Sequence, residues 1–253
     1  MSQLNESPII TIERRKAVTI IVSAVILAVA LGGGLTKVGS GFAARSASGI
    51  TVTGFAKVAA TADNAVWTLS VQSSSSSVST AIAKVGADVN AVSAYLTKGG
   101  IASDALTLGS VSTYANMEYI NGNATGRVLS HNASRDVVVR TKDIQLVSKL
   151  SQAIGTLLQS GVNVNNYGPQ YYVSTLPTLR PALLSEAMKD AQVRAVALTA
   201  AVGGTVGAVV SVNTGPFQVT TPDSTMTDSG GYYDTTTIEK TVTTTVSVTF
   251  KTK

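Results

Sequence analysis

Apolar and polar positions begin to alternate near residue 50. Residues 50–53 alternate, residues 67–72 alternate more clearly, and Asp63 and Asn64 between them are turn-forming residues. A period of two places every second side chain on the same face of a strand. The pattern therefore predicts two strands joined as a hairpin with one buried face.

A helical pattern follows the serine run at residues 73–77. Its apolar positions are spaced three and four residues apart and form one stripe: Val78, Ile82, Val85, Val89, Val92 and Leu96. We expect this helix to end at Gly99 and Gly100, because glycine readily adopts the left-handed conformation that closes a helix.

A second hairpin is predicted in the middle of the chain. Residues 106–120 and 127–140 are strand-like, and Asn121 and Gly122 lie between them. Asn-Gly is a favoured pair for a two-residue hairpin turn, because both positions need a positive φ.

A second helix is predicted from Asp143 to Gly161, followed by an extended segment at residues 162–173. The apolar residues on one side of this helix are Val147, Leu150, Ile154 and Leu157. Their spacing is that of one helix face.

The third predicted helix begins with Pro181 in its first turn, a position that proline tolerates, and ends at Gly203 and Gly204. One face carries Leu184, Ala187, Ala191, Ala195, Leu198 and Val202. Because alanine is small, this ridge would let the helix lie close against a sheet.

The remaining pattern predicts a strand at residues 205–212, a polar loop at about 213–236, and a last strand marked by alternation. The alternating residues of that strand are Val242, Val246, Val248 and Phe250. The order of elements predicts an α+β domain over residues 50–253, with an antiparallel or mixed sheet and about three helices packed on it.

The chain before this domain contains one long apolar segment. Residues 17–36 carry no charge, and Arg14, Arg15 and Lys16 precede them. A helix of 20 residues spans about 30 Å, the thickness of a bilayer's hydrocarbon core. Positive charge before the segment predicts that residues 1–16 stay in the cytoplasm and that the rest is exported.

Whether this segment stays attached is left open by the sequence. It fits a signal anchor and also a cleaved signal peptide, since both combine a basic region with an apolar run. Residues 37–49 are rich in Gly, Ser and Ala and are typical of a tether. We therefore expect a bacterial envelope protein whose domain lies in the periplasm, anchored in the inner membrane or released after cleavage.

Charge and composition exclude several classes of function. The net charge is +5, but from Ser46 onward the chain has 14 basic and 12 acidic residues and no basic cluster, which argues against nucleic-acid binding. The absence of cysteine excludes disulfides, thiolate catalysis and cysteine-bound zinc. The chain must be stabilised by packing.

No group of residues predicts catalysis, a cofactor or a metal. His131 is the only histidine and falls in a predicted hairpin, where an exposed polar residue is expected. Asp223, Asp228 and Asp234 could bind calcium through oxygen, but their spacing does not match an EF-hand and a solvated loop is the preferred interpretation.

Three further features of the sequence bear on function. Residues 203–207 superficially resemble a phosphate-binding loop but follow a helix, so we interpret them as a helix stop. Asp190 is positioned to pair with Arg194, four residues later. The tyrosines near loop segments could pack at strand edges, or line a ligand surface or an oligomer interface: Tyr167, Tyr171, Tyr172, Tyr232 and Tyr233.

Several of these segments resemble the SIMPL-domain family of bacterial periplasmic or surface proteins. The resemblance rests on the opening strand that ends in Gly54, on Asp63 before the strand that starts at Trp67, and on the alanine-rich helix around residues 187–203. It covers about residues 50–212. The chain departs from the family's usual Pro-Asp turn, having Ala62-Asp63, and also in the central turn and in the long insertion after Asn213.

Membership of this family would imply an exported α+β domain, a tendency to oligomerise and, for some members, an association with oxidative-stress defence. It implies no enzyme mechanism and no catalytic residues. We therefore expect a non-enzymatic envelope protein that acts by homo-oligomeric assembly, with the membrane contacted through residues 17–36. The alternative is a periplasmic module that binds a small ligand or polymer, and a hydrolase is the least favoured interpretation.

Overall fold

The computed structural model describes residues 49–225 and 230–253. In these ranges the chain forms nine strands, a 3-10 turn at Ser103–Ala105 and four α-helices. The strands are β1 Gly49–Thr61, β2 Asn64–Ser75, β3 Leu106–Leu108, β4 Ser112–Ile120, β5 Asn123–Thr141, β6 Val164–Tyr172, β7 Val206–Thr214, β8 Gln218–Thr220 and β9 Glu239–Thr252. The helices are α1 Val78–Lys98, α2 Ile144–Ala153, α3 Gly155–Gln159 and α4 Leu176–Ala200.

The predicted α+β class is confirmed, with two sheets in place of the single sheet that the pattern predicted. Sheet A has the order β1-β9-β7, with β8 also paired to β9, and sheet B has the order β3-β5-β2-β6, with β4 also paired to β5. The predicted tail at residues 1–16, the apolar segment at 17–36 and the tether up to residue 48 lie outside the described residues. Among the helices of the described residues, none combines the length and the hydrophobicity of a membrane-spanning segment.

The hairpin predicted from residues 50–53 and 67–72 is wrong. β1 pairs with β9 along its whole length, from Gly49 opposite Lys251 to Thr61 opposite Glu239, whereas β2 pairs with β5 and β6 in the other sheet. The alternation identified two strands correctly. It did not identify their partners, because the long β9, with its own buried face, is the better match for β1 and lies far away in the sequence.

Sheet B has its own core beneath α1, α2 and α3. β2 is its central strand, and its inward side chains are fully buried: Ala65, Trp67, Leu69 and Val71. α1 ends before Gly99 as predicted, although Val78 and Ile82 remain exposed because Ala81 faces the core in their place.

The helix predicted at residues 143–161 is present as two consecutive helices, α2 and α3. The Asp143 carboxylate accepts a hydrogen bond from the Leu146 amide at 3.0 Å and so caps the start of α2. Gly161, with φ +88°, follows α3 at the predicted end.

The second predicted hairpin is confirmed and extends well beyond the core. Asn121 and Gly122, with φ of +53° and +82°, join β4 to the 19-residue β5. We call residues 112–130 the hairpin arm. Most of its side chains are exposed on both faces, since only the second half of β5 also pairs with β2.

α4 covers sheet A, but it differs from the predicted helix in two ways. It begins at Leu176, before Pro181, because burial of Leu176 in the core of sheet A stabilises an additional turn. Leu198 and Val202 were predicted on the buried face and are exposed. Thr199 is buried in their place and continues the row of Ala187, Ala191 and Ala195.

The alanine ridge of α4 lies directly on β1, as predicted. At Gly54 a Cβ atom would stand 2.0 Å from the Ala187 carbonyl oxygen and 2.8 Å from the Ala191 Cβ. The carbonyl belongs to the helix backbone, which cannot move aside without shifting the helix. The distance between helix and strand is thus set by three positions without bulky side chains.

We predict that Gly54→Ala lowers the free energy of unfolding by about 1–3 kcal/mol or more, because overpacking usually costs about this much. The control is Gly86→Ala in α1, where a Cβ atom would meet nothing within 4 Å. That variant should stabilise the protein by up to about 1 kcal/mol, since alanine is the better helix former. Denaturant unfolding of both variants measures the difference, and equal stabilities would contradict the proposed close approach.

Candidate functional site

The two sheets meet along a line of hydrogen bonds that we call the seam. The Ala62 amide donates to the Ile238 carbonyl at 2.9 Å, and the Tyr171 amide donates to the Thr235 carbonyl at 2.8 Å. Residues 234–238, directly before β9, are therefore fixed against the end of β6 and the turn between β1 and β2. This segment lies in the stretch predicted to be a polar loop at about 213–236, which also contains the short strand β8.

A buried ion pair organises the seam. Lys240 lies on the inward face of β9, in line with Val242 and Val246, and its side chain is 0% exposed. Its ammonium donates to an Asp234 carboxylate oxygen at 2.7 Å and to the Asp234 carbonyl at 2.6 Å. A buried charge is tolerated when it is paired and hydrogen-bonded, as it is here.

The Asp234 carboxylate also shapes the residues that follow it. One oxygen accepts hydrogen bonds from the Thr236 amide and hydroxyl, and the other from those of Thr237. Burial raises the pKa of Asp234, but Lys240 and the two threonines lower it more, so the pKa lies well below its ordinary value. Asp234 is therefore charged at neutral pH and fixes the turn at residues 236–237.

A second carboxylate joins the strand turn to the entry of α4. Asp63 accepts hydrogen bonds from the Ser174 amide at 2.7 Å and from the Ser174 hydroxyl at 2.6 Å. These bonds stabilise the charged form and lower the pKa of Asp63. Asp63 is one of the residues on which the family resemblance rests, and its contact with Ser174 gives this residue a structural role.

An open groove of about 620 Å³ lies beside the seam. We call it the β6 groove. It is bounded by α2, by residues 167–171 of β6 and by the 236–239 turn that Asp234 holds, with Pro222 closing one side. Its volume falls in the range of pockets that hold small molecules.

The tyrosines are divided between the seam and the groove. Tyr171 is buried and lines the groove, whereas the exposed Tyr167 stands at its edge. The rings of Tyr172 and Tyr233 lie 5.9 Å apart, and the Tyr233 hydroxyl accepts a hydrogen bond from the Val173 amide at 2.8 Å. Tyr232 does not line the groove. The five tyrosines therefore form no single surface.

Of the three aspartates considered for calcium, the structure describes Asp223 and Asp234, and Asp234 has a different partner. Asp234 is paired with Lys240, Asp223 is exposed, and Asp228 lies outside the described residues. Among the residues that the structure describes, no group of three or more acidic or histidine side chains could hold a metal ion.

Two other sequence-level interpretations are confirmed. Asp190 pairs with Arg194 at 2.8 Å, and the same carboxylate oxygen accepts a hydrogen bond from the Phe55 amide on β1 at 2.8 Å. Gly203, with φ +76°, follows the end of α4. His131, expected to be exposed, is instead half-buried on β5, because this part of β5 also pairs with β2, with Ser75 opposite.

Lys240 was not predicted as a site residue, although the sequence carries a signal for it. The alternation that marks β9 places Lys240 on the same face as Val242, Val246 and Val248. A lysine at an inward position of a strand requires a buried acceptor, and Asp234 lies six residues earlier.

Removal of the lysine charge should be strongly destabilising. In Lys240→Met the Asp234 carboxylate stays buried without its partner, and we expect a loss of about 3–5 kcal/mol in the free energy of unfolding. The exposed pair of Lys189 and Glu186 is the control, because Lys189→Met should cost at most about 1 kcal/mol. Similar losses in both variants would contradict a structural role for the buried pair.

Acid should weaken the Asp63–Ser174 contact. The pKa of Asp63 is lower in the folded chain than in the unfolded one, so the contact stabilises the protein fully above the unfolded pKa, about 3.9. This stabilisation is lost as the pH falls below that value and through the lower folded pKa. Unfolding free energies measured between about pH 5 and pH 2 should therefore fall less steeply for Asp63→Asn than for the unmodified protein; parallel curves would exclude the contribution.

Comparison with known proteins identifies the family. No curated protein matches the chain significantly. The model of the SIMPL family, described as a protein of unknown function (DUF541), matches residues 50–250, which is most of the chain and nearly all of both described sheets. The match includes β1 with Gly54, the Asp63 turn, α4 and the Asp234–Lys240 pair. The chain therefore belongs to the SIMPL family.

Proposed function

We propose that this protein is a non-enzymatic, exported envelope protein that works by assembling with copies of itself. Its domain would lie in the periplasm, held in the inner membrane by residues 17–36 or released after cleavage. Its role would be the maintenance of the envelope or tolerance of oxidative stress, which the family resemblance implies for some members.

The single observation that carries this proposal is the apolar surface of the hairpin arm. Tyr119 is 66% exposed and Ile120 is 58% exposed at the end of β4, and Tyr114, Val128 and Leu129 are exposed as well. An isolated two-stranded hairpin is only marginally stable in water. Apolar side chains gathered on such a projection are typical of a contact surface.

The arm is also built to keep its shape. The Glu118 carboxylate accepts hydrogen bonds across the hairpin from the Arg127 guanidinium at 3.1 Å and from the Thr125 hydroxyl at 2.9 Å. A preformed arm loses little conformational entropy when it docks. Because β4 pairs with β5 alone among the described strands, its outer edge is free to accept a partner.

A second apolar surface offers a place for the arm of another copy. Val209 on the edge strand β7 and Val196 on α4 are both exposed. A groove of about 470 Å³ lies between these two elements and includes Val196, Val209 and Met188. Contacts between two different surfaces are head-to-tail and build assemblies larger than a dimer.

A second candidate function, a binding module for a small ligand or polymer, is favoured by the β6 groove. The groove has the volume of a ligand site and carries Tyr167 and Tyr171. It lies on β6, whereas the arm extends from β4 and β5 on the opposite side of β2. The two functions are therefore compatible in one molecule.

The assembly is tested by the native mass of the full chain, extracted in a mild detergent. We expect a defined oligomer, and we expect Tyr119→Ser combined with Ile120→Ser to lower its mass, because both side chains are exposed and contribute little to the fold of one copy. Tyr167→Ser is the matched control, since Tyr167 is 84% exposed but lies on β6. A monodisperse monomer of the unmodified protein, or an unchanged mass in the arm variant, would refute the proposal.

A further inference from the structure

We propose that the β6 groove is a binding site for an uncharged carbohydrate chain. The inference rests on the second candidate function, whose ligand class it names, and it is independent of the assembly because the β6 groove and the hairpin arm lie at opposite edges of sheet B. It rests on how β6 presents Tyr167, on the polar groups of the groove that have no partner among the described residues, and on the charge of the described residues that line it.

A β-bulge holds Tyr167 at the rim of the groove. The pairing of β2 with β6 shifts register between Trp67 and Leu69, and Gly168 has a φ of +80° at this point. The Asn166 side-chain oxygen accepts hydrogen bonds from the Gly168 amide at 3.0 Å and from the Trp67 indole at 2.8 Å. Because Trp67 is fully buried, the bulge is fixed to the core of sheet B.

The consequence of the bulge is a tyrosine whose backbone is fixed and whose ring is exposed to solvent. Bulges commonly re-aim a side chain next to a functional site. Tyr167 is 84% exposed even though its two neighbours along β6 are held by hydrogen bonds and by strand pairing. A flat apolar surface of this kind, with Pro169 beside it in the groove, suits the carbon-bearing face of a sugar ring.

The polar groups of the groove are arranged to meet hydroxyl groups. The Ser148 hydroxyl and the Gln152 amide, one helical turn apart on α2, make no hydrogen bond to another described residue. One oxygen of Glu239 accepts a hydrogen bond from the Thr61 hydroxyl at 3.0 Å, and the other has no partner in the described part of the chain. Together they offer both donors and acceptors.

The charge of the groove selects against other classes of ligand. None of the described residues that line it is basic, so nothing there neutralises a phosphate or a sulfate. Glu239 is its one carboxylate within the described residues, too few for a bare metal ion. The groove is also open to solvent, whereas an apolar ligand would need to be enclosed. An uncharged chain of sugars satisfies the aromatic and the hydroxyl-binding features together.

The test uses tetramers of glucose and of N-acetylglucosamine as probes, titrated at millimolar concentrations into the full chain in detergent and followed by calorimetry. We expect at least one tetramer to bind, and Tyr167→Ala and Gln152→Ala each to weaken it about tenfold, the effect of about 1.4 kcal/mol. Tyr119→Ala on the hairpin arm is the matched control and should change the affinity less than twofold.

The variants also separate this inference from the proposed assembly. Tyr167→Ala should weaken carbohydrate binding about tenfold at an unchanged native mass, and the combined Tyr119→Ser and Ile120→Ser variant should lower the mass at an unchanged affinity. Unfolding curves check that each variant is folded. The inference is overturned if neither tetramer binds, if binding is insensitive to both groove variants, or if a neutral tetrapeptide binds as tightly as the sugars.

Discussion

The arrangement of the two sheets depends on an ammonium group that cannot reach water. Lys240 must have its protons accepted inside the protein, and its partners at 2.6 and 2.7 Å both belong to Asp234. The segment that contains Asp234 is thereby held in one position. Its carbonyls at Thr235 and Ile238 accept hydrogen bonds from the backbone amides of Tyr171 and Ala62. A hydrophobic residue at position 240 would satisfy the core of sheet A, but it would not dictate where this segment lies.

The local structure could be predicted from the sequence to a large extent. Asn121-Gly122 defines its turn because few residues accept a positive φ, and the alanines of α4 indicate a close approach whose counterpart is Gly54. The partner of β1 could not be predicted, since alternation reports which face is buried and not which strand lies beside it. Tertiary burial explains why α4 starts at Leu176 and passes through Pro181.

The candidate site was less predictable than the fold. The groove depends on a bulge in β6, on a turn held by Asp234 and on α2, which come together only when both sheets are formed. Both Tyr167 and Asp234 were noted in the sequence for other reasons. Tyr167 belonged to the candidate tyrosine surface, and Asp234 was a candidate calcium ligand. No pattern of spacing joins Gln152, Tyr167 and Glu239, because each comes from a different element.

The pairing of β1 with β9 has a consequence for how the chain is made. Thr51 and Thr249, bonded through their hydroxyls at 2.9 Å, are 198 positions apart. β1 is therefore synthesised early, whereas its partner β9 is synthesised only when nearly all of the described chain has been made. Contacts of such long range are slow to form. Sheet A cannot close during synthesis. A chain exported as proposed would therefore complete sheet A only after β9 has been made and has reached β1.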